Sequence, residues 1–194
     1  MRRAEIERKT QETQVKLRMD LDGSGVGSID SGIGFFDHML QQIVRHGNLD
    51  LDLRVTGDLE VDAHHTIEDT GLVFGQALLE ALGSKAGISR YGLSYVPMDE
   101  SLARVVIDFS GRPYLYFQAD FPYDYLGAYP CEMTKEFFRA VAQTAGMTLH
   151  VELLHGENAH HETEAIFKAF GRALRQAVSI DPEVKGIPST KGTL

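Results

Sequence analysis

Between Thr13 and Leu21 apolar and polar residues alternate, the period of a half-buried strand, and Asp22-Gly23-Ser24-Gly25 ends the segment as a turn. Gly27 to Ile29 reads as a short returning strand. From Phe35 to Arg45 the period changes: Phe36, Met39, Leu40, Ile43 and Val44 fall at helical spacing, and Gly47 supplies a stop. Leu49, Leu51, Leu53 and Val55 then alternate strictly with polar residues, which predicts another half-buried strand. Thr66 to Leu82 predicts a long helix carrying Ile67, Leu72, Leu78, Leu79 and Leu82. The second half repeats the order. Leu102–Phe109 and Tyr114–Asp120 predict strands, Met133–Thr144 a helix, Thr148–Leu154 a strand and Glu162–Val178 a helix. The tail from Asp181, rich in Gly and Pro, predicts loop.

The repeated order points to an internal duplication. A shift of 88 residues pairs Glu12 with Glu100, Asp20 with Asp108 and Gly23 with Gly111. A shift of 96 pairs His64, His65 and Glu68 with His160, His161 and Glu164, and Gly75, Ala77, Leu78 and Ala81 with Gly171, Ala173, Leu174 and Ala177. The expected fold class is α+β: a single domain of two half-domain repeats, about 8–84 and about 96–180, each a small mixed or antiparallel sheet with helices on one face and the helices packed together. Residues 181–194 form a tail expected to close over the site.

Composition narrows the function. The chain of 194 residues is 43% hydrophobic and carries 19 Lys and Arg against 28 Asp and Glu, a net charge of −9. That argues against nucleic acid as the main partner, because a phosphate backbone needs a basic face. A single cysteine, Cys131, excludes an intrachain disulfide and a cysteine metal cage. No apolar run approaches the ~18 residues of a membrane span, and the charged start lacks the apolar core of a signal peptide. No membrane association and a cytoplasmic location are the expectations.

The histidines carry the chemistry. Four of the eight form two copies of His-His-x-x-Glu, at His64-His65-x-x-Glu68 and His160-His161-x-x-Glu164. On a helix, His64 shares a face with Glu68, and His160 with Glu164. Imidazole plus carboxylate suits Mn, Fe, Zn or Co. Adjacent histidines point roughly 100° apart on a helix, so each motif should serve two metals. A shift of 98 sets His38 opposite Glu136, both able to ligate. Symmetry then assigns one metal to His38, His65, His160 and Glu164, and a second to His64, Glu68, Glu136 and His161. Asp62 and Asn158 precede the two helices as candidate caps. His150 and His155 have no repeated counterpart and read as a sheet-face and a loop histidine.

The stretches Gly34-Phe35-Phe36-Asp37-His38-Met39-Leu40, Asp62-Ala63-His64-His65-Thr66-Ile67-Glu68-Asp69, Asn158-Ala159-His160-His161-Glu162-Thr163-Glu164, Phe167-Lys168-Ala169-Phe170-Gly171 and Pro188-Ser189-Thr190-Lys191-Gly192 closely resemble the imidazoleglycerol-phosphate dehydratases of histidine biosynthesis. The resemblance runs from about Arg8 to Lys191. It implies a duplicated fold like domain 2 of ribosomal protein S5. It also implies two Mn²⁺ ions per active site and a homo-oligomeric shell of 24 subunits with sites between subunits. The family's ligands fall on His38, His64, His65, Glu68, His160, His161 and Glu164. Many relatives carry His at position 136, where this chain has Glu136.

The implied reaction is loss of water from D-erythro-imidazoleglycerol phosphate to give imidazole acetol phosphate. The proton to be lost is not acidic, so a sensible route ionises the imidazole ring and expels the hydroxyl through a diazafulvene-type intermediate. Glu12 is the first candidate acid/base group and His46, two helical turns beyond His38, the second. Arg90, Arg112, Lys168 and Lys191, with Ser189 as a hydroxyl donor, match the family's phosphate-binding positions. Glu12, His38, His46, His64, His65, Glu68 and His160 would also contact the substrate. Two other classes compete. A di-metal phosphatase would release inorganic phosphate, and a non-catalytic metal-binding shell would bind ions without turnover.

Overall fold

The alternating and helical periods become two similar half-domains in the computed structural model, which describes residues 2–194. The first half comprises β1 (Arg3–Lys9), β2 (Thr13–Asp20), β3 (Gly27–Asp30), α1 (Gly34–Gly47), β4 (Asp50–Gly57) and α2 (His64–Leu82). The second comprises β5 (Tyr91–Met98), β6 (Ser101–Asp108), β7 (Tyr114–Gln118), a hairpin of β8 (Tyr125–Leu126) and β9 (Tyr129–Pro130), α3 (Met133–Ala145), β10 (Thr148–His155) and α4 (Ala159–Val178). The sheets have orders β1-β2-β4-β3 and β5-β6-β10-β7. In each, the first three strands pair antiparallel and the last pairs parallel to its neighbour. The two halves therefore share one topology, and the fold is α+β. Only the second half carries the hairpin; Ser31-Gly32-Ile33 alone joins β3 to α1.

One face of each sheet is buried. Val15, Leu17 and Met19 on β2 and Leu51, Leu53 and Val55 on β4 point inward, as do Ala103, Val105 and Ile107 on β6 and Leu149 and Val151 on β10. Helix α2 covers the first sheet and α4 the second. The main helix contacts then run between the halves: α2 packs on α3, and α1 on α4. Aromatic side chains fill this middle layer, with Phe137 stacked on Phe167 and Phe138 against Phe167 and Phe170.

Glycines set the depth of these contacts. A Cβ on Gly75 would lie 2.5 Å from the Val141 carbonyl oxygen, and one on Gly71 2.8 Å from that of Phe137, both on α3. One on Gly171 would lie 3.0 Å from the Ile43 carbonyl oxygen on α1.

The structure adds two long strands that the periodicity did not reveal. β1 offers only Ala4 and Ile6 to the core among charged neighbours. β5 inverts the usual pattern, with Tyr91, Leu93 and Tyr95 outward and Gly92, Ser94 and Val96 inward. The cause is α4, which lies so close that a Cβ on Gly92 would overlap the Ala173 carbonyl oxygen. The two long helices also begin earlier than their apolar runs, at His64 and Ala159, so the histidine pairs sit in the first turns. Among the described residues, no helix is long and apolar enough to cross a membrane.

Gly75→Ala should destabilise the protein by about 1–3 kcal/mol, because neither the Val141 carbonyl nor the helix behind it can yield cheaply. Gly34→Ala, at a position with open space around it, should be neutral or slightly stabilising. Urea denaturation of the two variants checks this contrast.

Candidate metal centre

The two helix starts are capped locally. The Asn158 side chain accepts hydrogen bonds from the backbone N–H of His160 at 2.9 Å and of His161 at 3.3 Å. Asp62 accepts one from the His64 N–H at 2.7 Å. Both pins hold a histidine pair at the start of a helix, and the helical repeat then sets Glu68 and Glu164 one turn further on.

Packing between the halves supplies a third group to each. His38 on α1 meets His160 and Glu164 on α4: the Nε2 atoms of both histidines lie 3.0 Å from Glu164 Oε2. Glu136 on α3 meets His64 and Glu68 on α2, where His64 Nε2 is 3.8 Å from Glu68 Oε2. In each triad one potential donor atom from every member lies within 4.8 Å of the others. This convergence of imidazole nitrogen and carboxylate oxygen fits a divalent first-row cation. Phe35 borders the first triad, its ring edge-on to His160 with centroids 5.1 Å apart.

The remaining histidine of each pair turns elsewhere. His65 Nδ1 lies 3.0 Å from Asp58 Oδ2, and its Nε2 is 3.8 Å from Glu12. His161 Nδ1 lies 2.8 Å from Glu100 Oε2. A carboxylate at Nδ1 keeps the proton there and leaves Nε2 with its lone pair, the arrangement that orients a metal-binding histidine. The structure thus brings together three of the four residues assigned to each metal and sets His65 and His161 apart from both triads. Nothing in their local sequence marks Asp58 and Glu100 as orienting groups. The 88-residue match of Glu12 with Glu100 was the signal available for one of them.

Electrostatics follow from these contacts. Burial raises the pKa of Glu164, but the Lys168 ammonium 2.7 Å from Oε1 and the hydrogen bonds from His38 and His160 outweigh it and hold the carboxyl at about 2. The stabilisation this gives is present above the ordinary carboxylate value and is lost as pH falls toward 2. The hydrogen bond to Glu100 raises the pKa of His161, and that to Asp58 raises His65. Partial burial, then the Lys168 and Arg172 cations, lower that of His46, which lies in the last turn of α1.

The anion-binding candidates form a separate group. Arg90, Arg112, Ser189 and Lys191 line a cleft of about 760 Å³ with Tyr91 and Pro188. Arg90 forks onto Asp108 at 2.7 and 3.2 Å and donates to the Pro188 carbonyl at 2.8 Å, so the tail lies against this arginine. Asp108 ends β6, whereas Glu100 immediately precedes it. An eight-residue strand spans roughly 25 Å, which separates this cleft from the triad end of the same chain. Lys168 stays with the triads.

Fold and site together define a duplicated α+β protein with paired histidine–carboxylate centres suited to divalent cations. The family model for imidazoleglycerol-phosphate dehydratase matches residues 31–174. The chain is 56% identical over 195 residues to the imidazoleglycerol-phosphate dehydratase of Dechloromonas aromatica (strain RCB), covering all of both chains. It is also 56% identical to that of Ralstonia nicotianae over 194 residues, covering 100% of this chain and 99% of the relative. Among solved structures, the enzyme of Staphylococcus aureus superposes with a TM-score of 0.84 at 43% identity, covering 92% of this chain and 99% of the other. The Pyrococcus furiosus structure, in complex with (S)-C348, also gives 0.84, at 34% identity over 97% and 100% of the two chains. The chain belongs to the imidazoleglycerol-phosphate dehydratase family.

In the metal-free protein His161 should titrate above its ordinary 6.5, and Glu100→Gln should bring it down. Proton NMR titration of the imidazole checks this; an unchanged midpoint would rule out the ion pair.

Proposed function

We propose that this chain dehydrates D-erythro-imidazoleglycerol phosphate to imidazole acetol phosphate in histidine biosynthesis, as a cytoplasmic enzyme using two Mn²⁺ ions per active site. The observation that carries the reading is the pair of duplication-related triads, His38/His160/Glu164 and His64/Glu68/Glu136, in a chain of this family. Two like centres suit an azole, which offers two ring nitrogens. Bound at these ligands, Mn²⁺ would supply Lewis-acid stabilisation of negative charge on the ring.

The proton chemistry falls to this chain's own groups. Dehydration takes a hydroxyl from the carbon beside the ring and a hydrogen from the next carbon. Protonated Glu12 gives its proton to the departing hydroxyl. The resulting carboxylate then takes the hydrogen from the neighbouring carbon, so one water leaves and the enol formed becomes the ketone. The duplication mate of Glu12 cannot serve in this way. Glu100 accepts from the Ser101 hydroxyl, from the backbone N–H of Glu157 and Asn158 and from His161. Glu12 is half-exposed, its carboxylate 3.8 Å from His65 and without such hydrogen bonds. His46, whose pKa is lowered by burial and then by Lys168 and Arg172, is the second proposed acid/base group. Arg90, Arg112, Lys168, Ser189 and Lys191 would hold the phosphate.

The roughly 25 Å between the cleft of Arg90 and the triads of one chain far exceeds the length of this substrate. Sites shared between subunits resolve the mismatch and supply His65 and His161 as fourth ligands to a neighbour's triads. A homo-24-mer is the assembly we propose.

Glu12→Gln should lower kcat by about 10²–10⁴ with metal content unchanged. Turnover should yield ketone without inorganic phosphate and stop on chelation; phosphate release would indicate a phosphatase instead. Sedimentation of the Mn²⁺-loaded protein should give a particle of 24 chains, and His65→Ala should shift it toward smaller species.

A further inference from the structure

We propose that the two metal sites of this chain are chemically inequivalent: the Glu136 site holds an oxygen-preferring ion such as Mn²⁺ against Zn²⁺, while the His38 site exchanges it readily. The inference rests on the metal-binding reading above and extends it.

The duplication itself exposes the difference. His64 corresponds to His160 and Glu68 to Glu164, but His38 corresponds to Glu136. One triad therefore offers two imidazoles and one carboxylate, and the other one imidazole and two carboxylates. Imidazole favours Zn²⁺, Ni²⁺ and Cu²⁺ in the usual order of first-row affinities, whereas carboxylate suits Mn²⁺ and Mg²⁺. With a divalent ion in place, the Glu136 triad is electrically neutral and the His38 triad keeps one positive charge. Nearby cations do not cancel the difference, because each triad has one: Lys168 on Glu164, and Arg139 paired with Glu136. A histidine donated by a neighbouring copy would add one nitrogen to each site and leave the contrast intact.

The surroundings reinforce it. Glu136 lines a cleft with Asp120, Asp124 and Glu132, three carboxylates against the one cation Lys135. Asp120, Asp124 and Glu132 belong to the β7–α3 connection, which the first half replaces with Ser31-Gly32-Ile33. That connection places carboxylates beside Glu136 that Ser31-Gly32-Ile33 does not place beside His38.

Competition between Mn²⁺ and Zn²⁺ on the EDTA-stripped, Mn²⁺-reloaded assembly tests the proposal, with free Mn²⁺ followed by electron paramagnetic resonance and bound metal by mass spectrometry. Zn²⁺ should release half of the Mn²⁺ at a concentration at least about tenfold below that needed for the rest, a separation of about 1.4 kcal/mol. His160→Ala should abolish the Zn²⁺-sensitive half. Glu136→His should merge the two steps, and Glu136→Gln should loosen the resistant half. Release of all Mn²⁺ in one step from the unaltered protein, or two steps that persist in Glu136→His, would overturn the inequivalence alone. Failure of the stripped protein to take up Mn²⁺ at all would overturn the metal reading with it. If Glu136→His does not fold, the wild-type release curve and His160→Ala still decide.

Discussion

Helices α2 and α3 meet where Gly71 and Gly75 present no side chain, and α1 meets α4 where Gly171 faces the backbone of Ile43. Without that close approach His38 would not reach Glu164, and Glu136 would not reach His64 and Glu68. Each histidine–carboxylate pair within a helix is a local product of the α-helical repeat. The third group always comes from the other half of the chain. Both triads therefore depend on contact between halves, and that contact is as deep as glycine permits. The Phe137, Phe138, Phe167 and Phe170 cluster fills the space between the glycine contacts and fixes the register of the two helical layers.

Duplication built the scaffold, and departures from symmetry distinguish the tasks. Glu12 and Glu100 occupy matching positions, yet Glu100 is tied into the turn that precedes α4 by hydrogen bonds from Ser101, Glu157 and Asn158. A carboxylate held in that way is fixed beside the His161 ring. Glu12 has no such ties: its carboxylate stands half-exposed, 3.8 Å from His65. The same logic separates Lys168, which grips Glu164, from its counterpart Leu72, which has no charge to offer.

The chain also divides its polar groups between two ends. The triads gather at the first turns of the long helices, while Arg90 and Arg112 sit beside the tail at the opposite end of β6. Arg90 is committed to Asp108 within its own chain, which fixes its fork against a cleft wall instead of leaving it in solvent. The same guanidinium holds the Pro188 carbonyl, so one side chain ties the tail to the end of β6.

Much of this was legible from the residues alone because it is local. Alternation marked β2, β4, β6 and β10, since one face of each meets the core. The 3.6-residue period marked the four helices, and His-His-x-x-Glu placed two donors on one helix face wherever the helix came to lie. The 98-residue match of His38 with Glu136 even named the third member of each triad. What only the tertiary structure decided is non-local. β5 hides from its pattern because α4 presses on its inner face and admits only small side chains there. That the second histidine of each pair turns its Nδ1 to a carboxylate, Asp58 just upstream of His65 and Glu100 sixty-one residues before His161, depends on where the chain folds back beside each helix start. Local periodicity determines which side chains share a face; only packing determines what that face meets.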